Sequence, residues 1–334
     1  MARRLAMAAV FAVIGVACDK PDPSHFDVVR IADRGFLTNA PIYIADEEGY
    51  FADEKIKLQF AEPPRSSAQI IPLLDRGDLD VMAPALSAAL FAAIAKGSKS
   101  RIVADRGHVT ATGCDYDGVM VRRGLLNGAP PTANALRGKR FSLGAASTPA
   151  YIVNKYLNSL GLSNADIEMV RMGETVEAQA LAAGSIDGLH VAEPHLSRLR
   201  EQGNELIGPA SKYTPGMHYA VVVFGPTLTV THRDVGQRFM KAYLRGVKKF
   251  GEGLTARNID IMARRTNVPA DQLRKICLPS INPDGELNFA ALVDFQKWLV
   301  AGGNLTAVVG PEAATDMTFA RTAAKELGIP PTAR

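Results

Sequence analysis

The amino-acid sequence predicts an α/β protein of two lobes with a helical C-terminal segment. Strand-like and helix-like segments alternate up to about residue 224, as they do in α/β folds. A turn from a helix into a strand occurs at residues 74–81 and again, with a similar pattern, at residues 181–188. The chain of 334 residues is long enough for two domains of ordinary size, about 100–200 residues each.

The composition is that of a globular protein, with 47% apolar and 22% charged residues. There are 38 Lys and Arg residues against 34 Asp and Glu residues, which gives a net charge of +4 at pH 7. The basic residues form no run and no stripe interleaved with aromatic residues, so we expect no nucleic-acid partner.

The N-terminus has the organisation of an export signal. Arg3 and Arg4 are followed by an uncharged apolar stretch over residues 5–16 and by the small residue Ala17. The stretch is shorter than the ~20 residues that a membrane-spanning helix needs, and no later stretch is long enough either. We therefore assign residues 1–17 to a signal peptide and expect the mature protein in the periplasm or another extracytoplasmic compartment.

Cys18 directly follows the predicted signal. Residues 15–18 resemble a lipobox, in which the cysteine is acylated, although Gly15 stands where a bulky aliphatic residue is usual. Residues 18–25 are polar and contain proline, as a linker between a membrane and a domain would. We expect lipidation at Cys18 to anchor the protein to the membrane. An ordinary secretory signal with an incidental cysteine is the alternative.

Two further cysteines, Cys114 and Cys277, lie far apart in the sequence. An oxidising compartment would allow them to form a disulfide. Free cysteines are also commonly buried as small apolar residues, so the sequence leaves both states open.

The first lobe is predicted to begin with a strand at residues 26–32, where apolar and polar residues alternate. A polar loop follows, and Asn39 can cap a helix that Pro41 enters in its first turn and that runs to about residue 48. The next expected elements are a strand at residues 55–60 and a helix that begins at Ser66 or Ser67 and is stopped by Gly77.

The two similar turns share their order of residue types. In each, a helix end is followed by a glycine that stops the helix, a polar residue, an apolar residue, an aspartate and a strand. The glycines are Gly77 and Gly184, and the aspartates are Asp80 and Asp187. The repeat suggests two lobes built to one plan, with chance similarity of two such turns as the alternative.

The second lobe is predicted to lie between two strands that could cross between the lobes, at residues 117–122 and 219–224. Within it, Ser147 or Thr148 caps a helix that begins at Pro149. Two more helix-and-strand units follow before the chain returns.

We place lobe 2 at residues 117–221 and lobe 1 at residues 26–116 plus 222–330. From about residue 233 onwards the chain is predicted to be helical. The expected helices are residues 235–251, 258–265, 271–276, 289–301 and 315–327.

Seven short segments along the chain have an order and a spacing that are also found in a known family of proteins. They are residues 40–45, 48–51, 77–80, 136–139, 161–162, 183–187 and 193–194. Together they resemble the bacterial solute-binding proteins for sulfonates, nitrate and pyrimidine vitamin precursors, which serve ABC importers. The resemblance covers about residues 27–225. It implies a periplasmic-binding-protein type II (Venus-flytrap) fold, in which two α/β lobes close by a hinge around a ligand.

The resemblance places the ligand site in four clusters of residues that follow strands. In lobe 1 they are Phe36, Leu37, Thr38 and Asn39 after the first strand, and Pro84, Ala85, Leu86 and Ser87 after the strand that contains Asp80. In lobe 2 they are Ser147, Thr148 and Pro149 at a helix start, and His190 and Glu193 at the end of the strand that follows Asp187.

These residues also have purely structural interpretations. Ser147 and Thr148 can do no more than cap their own helix. Glu193 can be an ordinary acidic residue at the start of a helix, and His190 can be an interior histidine with satisfied hydrogen bonds.

The apolar sequence of residues 83–86 favours a ligand with a substantial apolar face, because Pro84 has no N–H to offer an anion. Arg34 could supply a contact to an anion, but a solvated loop arginine is the simpler interpretation. We therefore predict an amphipathic small organic ligand.

We expect no cofactor, no metal and no enzyme activity. The motifs of zinc proteases, serine hydrolases, P-loop NTPases and dinucleotide-binding folds are absent from the sequence. His190 and His195 flank Glu193, but Pro194 breaks the helical spacing that a metal-binding pair would need.

The sequence is thus interpreted as that of a monomeric solute-binding lipoprotein that delivers a small-molecule ligand to a membrane permease, an ABC importer. A ligand carrier or sensor for a non-ABC pump or receptor is one alternative. An enzyme of vitamin-precursor synthesis on the same fold is another.

Overall fold

The computed structural model describes residues 25–332 except residues 63, 65, 66 and 145. The predicted signal peptide, Cys18 and most of the linker lie outside the described residues. The strands are β1 (Asp27–Ala32), β2 (Ile56–Ala61), β3 (Val81–Met82), β4 (Arg101–His108), β5 (Asp117–Val121), β6 (Arg140–Ser142), β7 (Glu168–Val170), β8 (Gly188–Ala192), β9 (Glu205–Pro209) and β10 (His218–Phe224).

Helices connect the strands and form the C-terminal part of the chain. Up to β10 they are α1 (Ala40–Glu47), α2 (Tyr50–Asp53), α3 (Ser67–Asp75), α4 (Ala88–Ala95), α5 (Ala133–Leu136), α6 (Thr148–Ser159), α7 (Glu174–Ala182), α8 (His195–Glu201) and α9 (Ala210–Tyr213). After β10 they are α10 (Arg233–Phe250), α11 (Ala256–Thr266), α12 (Ala270–Leu273), α13 (Phe289–Ala301), α14 (Pro311–Ala314) and α15 (Thr318–Glu326).

The strands form two five-stranded sheets with the same topology. The first sheet has the order β2-β1-β3-β10-β4 and the second has the order β7-β6-β8-β5-β9. In both, the first three strands are parallel and the fourth strand in the order runs antiparallel to its neighbours. The two repeated turns lead into β3 and β8, the central strands of the two sheets, so the prediction of two lobes on one plan is confirmed.

The two aspartates of the repeat have equivalent partners. Asp80 accepts hydrogen bonds from the backbone N–H and the guanidinium of Arg30 on β1. Asp187 accepts one from the backbone N–H of Arg140 on β6 and lies 3.5 Å from its guanidinium, and it also accepts one from Arg122. Each aspartate therefore ties the turn before the central strand to the neighbouring parallel strand.

The strands expected to cross between the lobes each lie within one sheet. Strand β5 pairs with β8 and β9, and the whole of β10, including residues 218–221, pairs with strands of the first sheet. The chain instead passes from the first sheet to the second through residues 109–116 and returns through residues 214–217.

The sequence analysis missed β4, β9 and α4, and it overextended the helical C-terminal part. Residues 274–288 are mostly irregular, with an isolated bridge between Ser280 and His108 of β4. Strand β4 was missed because it contains Arg101, Asp105 and Arg106, and charged residues usually indicate a solvated segment. Here the last two are buried side chains with specific partners.

The C-terminal helices pack onto the first sheet. A Cβ atom on Gly246 of α10 would lie 2.1 Å from the carbonyl oxygen of Pro41, so only glycine permits the close approach of α10 to α1. Phe295 of α13 packs against Phe91 of α4, with ring centroids 6.2 Å apart. In the described residues, no helix is both long enough and apolar enough to span a bilayer.

Cys114 and Cys277, whose state the sequence left open, form a disulfide with Cα atoms 5.8 Å apart. One end of the disulfide lies in residues 109–116, which lead from the first sheet to the second. The other end lies in the chain that follows α12.

Candidate functional site

The polar and aromatic residues of the candidate site lie where the parallel strands of each sheet reach their carboxyl ends. We call this end of a sheet its edge. In the first sheet, β1, β3 and β4 are parallel to one another and β10 is antiparallel to them. Residues 36–39, residues 84–87, the end of β4 and the start of β10 therefore lie at the same edge. In open α/β sheets, ligands bind beyond the carboxyl ends of parallel strands.

Arg106 is the central residue of this edge, and the sequence analysis did not single it out. Its side chain is only 2% exposed, and its Nη1 donates hydrogen bonds to Thr38 Oγ1 and Asn39 Oδ1. Among the residues that the structure describes, none is a hydrogen-bond partner of its Nε. Two residues predicted to contact a ligand thus hold a buried cation in position.

The positive charge of Arg106 is not balanced by a neighbouring acid. Across the part of the chain that the structure describes, no carboxylate forms an ion pair with this guanidinium. Burial lowers its pKa, although an arginine keeps its proton in proteins. Because an isolated buried charge is costly, the site is suited to an anion that supplies the missing countercharge.

Four tyrosines interact electrostatically with Arg106, and two of them, Tyr116 and Tyr219, form a pair. The rings of Tyr219 on β10 and Tyr116 on the connecting segment are stacked, with centroids 5.1 Å apart and an interplanar angle of 15°. Within the described part of the chain the buried hydroxyl of Tyr219 has no hydrogen-bond partner, and burial raises its pKa well above the usual value. Tyr219 and Tyr116 therefore offer an aromatic surface together with an unused hydroxyl donor.

Asn39 occupies the N-cap position of the helical segment that begins at Ala40, but its side chain does not cap that segment. Its Nδ2 donates to Asp33 Oδ1 at 2.7 Å while its Oδ1 accepts from Arg106. The Tyr43 hydroxyl also donates to Asp33, and burial beside that carboxylate raises the pKa of Tyr43. Asp33 thus fixes the orientation of the amide that holds Arg106.

The equivalent edge of the second sheet carries His190 and Glu193. His190 Nε2 lies 2.9 Å from Asp117 Oδ2, which satisfies the buried aspartate. Glu193 is 6% exposed and accepts hydrogen bonds from the backbone N–H and the hydroxyl of Ser197. Both predicted residues lie at the expected edge, and both are engaged by protein partners.

Backbone contacts join the two edges. Ser87 and Ser147 form an isolated antiparallel bridge, Ala88 N donates to Ala146 O at 3.0 Å, and Thr148 N donates to Leu86 O at 3.1 Å. The residues after β3 therefore lie against the start of α6, and the two lobes touch at the predicted clusters.

The prediction that Ser147 or Thr148 caps α6 through its side chain is wrong. Ser147 is the N-cap residue but makes no side-chain cap bond, and Thr148 Oγ1 is directed to the carbonyl oxygen of Leu86 at 3.4 Å. The start of this helix is instead fixed by the backbone contacts with the other lobe. The Oγ of Ser87 is buried at this interface, where the described residues offer it no hydrogen-bond partner.

The remaining predicted residues differ in their surroundings. Leu37 and Leu86 are buried in the core, with 2% and 0% exposure, whereas Phe36 and Ala85 are exposed. Pro149 lies in the first turn of α6. Arg34 donates to the carbonyl oxygen of Pro64, as expected for a loop arginine.

A group of three residues beside the site has the composition of a metal centre. Asp105, His108 and His218 place potential ligand atoms within 4.8 Å of one another. The Asp105 carboxylate, however, is hydrogen-bonded to both imidazoles and to the N–H groups of Gly107 and Asn282, all at 2.8–2.9 Å. His218 Nε2 accepts from the N–H of Asn288.

These bonds give Asp105 and His218 the role of a structural hub between β4, β10 and residues 280–288. The two histidines keep the pKa of Asp105 well below its usual range, against the effect of burial. Because Arg106 and Gly107 follow Asp105 directly, the hub also fixes the end of β4 at the candidate site.

Arg106, Tyr116 and Tyr219 are the site residues that sequence reasoning missed. A signal for Arg106 was available, since it lies in a run of eight residues with strand character that also contains three apolar residues and an aspartate. The convergence of Tyr116 and Tyr219 depends on sheet pairing over about a hundred residues, which no local pattern specifies.

Solved structures share this architecture. The ligand-binding component of an ABC-type import system from Staphylococcus aureus has a TM-score of 0.72 and 16% identity, covering 89% of this chain and 98% of that one. The periplasmic aliphatic sulphonate binding protein of Escherichia coli has a TM-score of 0.65 and 15% identity, with 86% and 92% covered. The desulfurization enzyme DSZB has a TM-score of 0.61 and 14% identity, with 90% and 99% covered. These similarities establish the two-lobed periplasmic-binding-protein fold.

Comparison of sequences tests which family the chain belongs to. Curated protein sequences yield no match to the chain. A family model described as NMT1/THI5 like matches residues 38–252, a range that contains Thr38, Asn39, Arg106 and both stacked tyrosines. Because this match covers more than half of the chain and includes every strand of the two sheets except β1, the protein belongs to the NMT1/THI5-like family.

Proposed function

We propose that this protein is an extracytoplasmic solute-binding protein that holds a small organic anion between its two lobes and delivers it to a membrane importer. The observation that carries this proposal is the buried guanidinium of Arg106, which has an unpaired Nε and no carboxylate partner in the described chain.

An anionic group would complete this site. It would supply the countercharge and accept the hydrogen bond that Arg106 Nε does not make, and charge-assisted hydrogen bonds of this kind are strong and directional. A second donor is the buried hydroxyl of Tyr219, which is protonated at neutral pH as tyrosines ordinarily are and has no hydrogen-bond partner in the described residues.

The stacked rings of Tyr116 and Tyr219 favour an apolar or planar body attached to the anionic group. Burial of apolar surface contributes about 25 cal/mol per Å². This combination refines the amphipathic ligand that the sequence predicts. The polar end of the ligand carries a negative charge and binds Arg106, a residue that the sequence analysis did not consider.

Binding would proceed by closure of the lobes. We propose that lobe 1 comprises residues 26–116 plus 218–330 and that lobe 2 comprises residues 117–217, which changes the sequence-based bounds of 222 and 221 so that all of β10 belongs to lobe 1. The chain segments 109–116 and 214–217 would act as the hinge. The contacts of Ser87 with Ser147 and of Leu86 with Thr148 would then exist only in the closed state.

The sequence and the fold support a proposal for the partner and the location. We propose export by residues 1–17, anchoring by a lipid on Cys18, and a membrane permease of an ABC importer as the acceptor of the ligand. The similar proteins from S. aureus and E. coli, named as import-system and sulphonate-binding components, support this choice. A non-ABC pump or receptor would use the same binding chemistry.

An enzyme is the second candidate, because the desulfurization enzyme DSZB shares the fold. Thiol-based catalysis by this chain is disfavoured, since Cys114 and Cys277 are bonded to each other. Apart from the shared fold, no observation on the described residues favours an enzyme over a binding protein.

Calorimetry with matched probes tests the proposal. Benzenesulfonate and benzoate should bind the wild-type protein, whereas neutral benzyl alcohol should bind much more weakly. Arg106→Met should abolish binding of both anions, and Arg76→Gln, which changes an exposed arginine paired with Asp78, should not. Equal affinity for benzyl alcohol, or undiminished anion binding by Arg106→Met, would contradict the proposal.

A further inference from the structure

The disulfide lies close to the proposed ligand site. Cys114 belongs to the hinge segment 109–116, two residues before Tyr116, whose ring stacks on Tyr219. Cys277 follows α12, which packs with the C-terminal helices of lobe 1. The cross-link therefore attaches the hinge segment to lobe 1 beside the aromatic stack.

The chain next to Cys277 also contacts lobe 2. Gln272 Nε2 donates to the carbonyl oxygen of Pro194 at 3.1 Å, and the backbone of Cys277 favours the charged form of the Glu193 carboxylate, which lowers its pKa against the larger effect of burial. We call residues 270–277 together with residues 193–194 the clasp. Glu193 N in turn donates to the carbonyl oxygen of Tyr116 at 2.9 Å, so the clasp continues into the hinge segment.

We infer that the Cys114–Cys277 disulfide positions the clasp and so favours the closed arrangement of the lobes around the Arg106 site. The inference rests on the proposed binding function. It assigns to the disulfide an effect on ligand affinity in addition to its effect on stability.

The physical argument compares the strength of the clasp with the cost of ordering it. The clasp contacts of Gln272 with Pro194 and of Cys277 with Glu193 are too weak to order the two segments by themselves, because the net contribution of a hydrogen bond is no larger than the entropy cost of ordering the residues that make it. A cross-link at Cys277 holds the segment near Glu193 before closure and removes most of that ordering cost. Because apparent affinity is proportional to the population of the binding-competent state, loss of the cross-link weakens binding.

The test uses Cys114→Ser/Cys277→Ser, which leaves no free thiol at the clasp. Small-angle scattering on the ligand-free protein should give a larger radius of gyration for this variant than for the wild type. Hydrogen exchange should increase at residues 193–194 and 272–277. The dissociation constant for benzenesulfonate should rise about tenfold, within the range of conformational couplings.

Reduction provides the same test without a mutation. Dithiothreitol reduces the disulfide to two thiols and is itself oxidised to a cyclic disulfide, and it should reproduce the effects of the double variant. Val29→Ala, which removes buried volume from β1 far from the clasp, is the control for lost stability. It should lower the melting temperature without changing the radius of gyration.

The outcomes separate this inference from the binding proposal. If the double variant and the reduced protein keep the wild-type radius, exchange pattern and affinity, the positioning role is wrong while the Arg106 site stands. If benzenesulfonate does not bind the wild type, the Arg106 proposal fails, and scattering and exchange on the ligand-free protein still decide the effect of the disulfide on closure.

Discussion

The ring of Tyr219 lies directly against the backbone of Gly107. A Cβ atom on Gly107 would be 2.3 Å from Cε2 of that ring, closer than any real contact, and Gly107 has a φ of +154°. Glycine at position 107 therefore allows Tyr219 to lie beside Arg106 and to stack on Tyr116.

We predict that Gly107→Ala displaces the Tyr219 ring and weakens binding of benzenesulfonate about tenfold or more. The control is Gly97→Ala, at a glycine with a φ of +100° and no atom within 4 Å of the added Cβ, where only backbone strain applies. Calorimetry and thermal unfolding on both variants measure the effects. Equal affinities for Gly107→Ala and Gly97→Ala would show that the position of Tyr219 does not matter for binding.

Arg106→Met should change the free energy of unfolding of the ligand-free protein by less than about 2 kcal/mol. Replacing an uncompensated buried charge by an apolar side chain of similar length removes its desolvation cost, which offsets the lost hydrogen bonds to Thr38 and Asn39. Denaturant unfolding measures the difference. A decrease of about 4 kcal/mol or more in the free energy of unfolding would mean that Arg106 has a further stabilising partner in the ligand-free protein.

Asp105→Asn should behave in the opposite way, because four donors surround that carboxylate. We expect a loss of about 3–5 kcal/mol at pH 7. The folded-state pKa of Asp105 lies below its unfolded value of about 3.9, so its contribution is present above that pH and is lost as pH falls through the folded-state pKa. Unfolding measured from pH 7 to pH 3 should therefore show a smaller stability difference between variant and wild type at the acid end. A stability difference that stays the same at every pH would mean that Asp105→Asn acts through packing and not through the charge of the carboxylate.

Cys18→Ser should release the protein from the membrane fraction of its native host into the soluble extracytoplasmic fraction. The physical reason is that an acyl chain contributes about 0.8 kcal/mol per buried CH₂ group and serine cannot carry the thioether-linked lipid. Fractionation and mass measurement of the mature N-terminus check the result. Unchanged membrane partitioning of the variant would argue against the lipid anchor.

Much of the fold could be predicted because local patterns and global pairing agree. The turns at Gly77 and Gly184, with φ of +76° and +69°, lead into the central strands as their sequence indicates. The helix predicted at residues 289–301 is observed as Phe289–Ala301. In these places the turn residue or the apolar period is sufficient to define the element.

The site was less predictable because its key residues depend on pairing partners distant in sequence. Arg106 appears as a charged interruption of an apolar run until Thr38 and Asn39 are brought to it by the β1–β3–β10–β4 order of strands. Asn39 and Ser147 were interpreted from the local preference of such residues for helix starts. The tertiary contacts of Asn39 with Asp33 and of Ser147 with Ser87 take precedence over that preference.

The most direct measurement of the central claim is mass spectrometry of the small molecule that co-purifies with the protein from its native host, compared between the wild type and Arg106→Met. We predict that the wild type carries an organic molecule with an acidic group and an apolar or planar body, and that Arg106→Met carries none. A neutral or cationic molecule on the wild type, or the same molecule retained by Arg106→Met, would contradict the account.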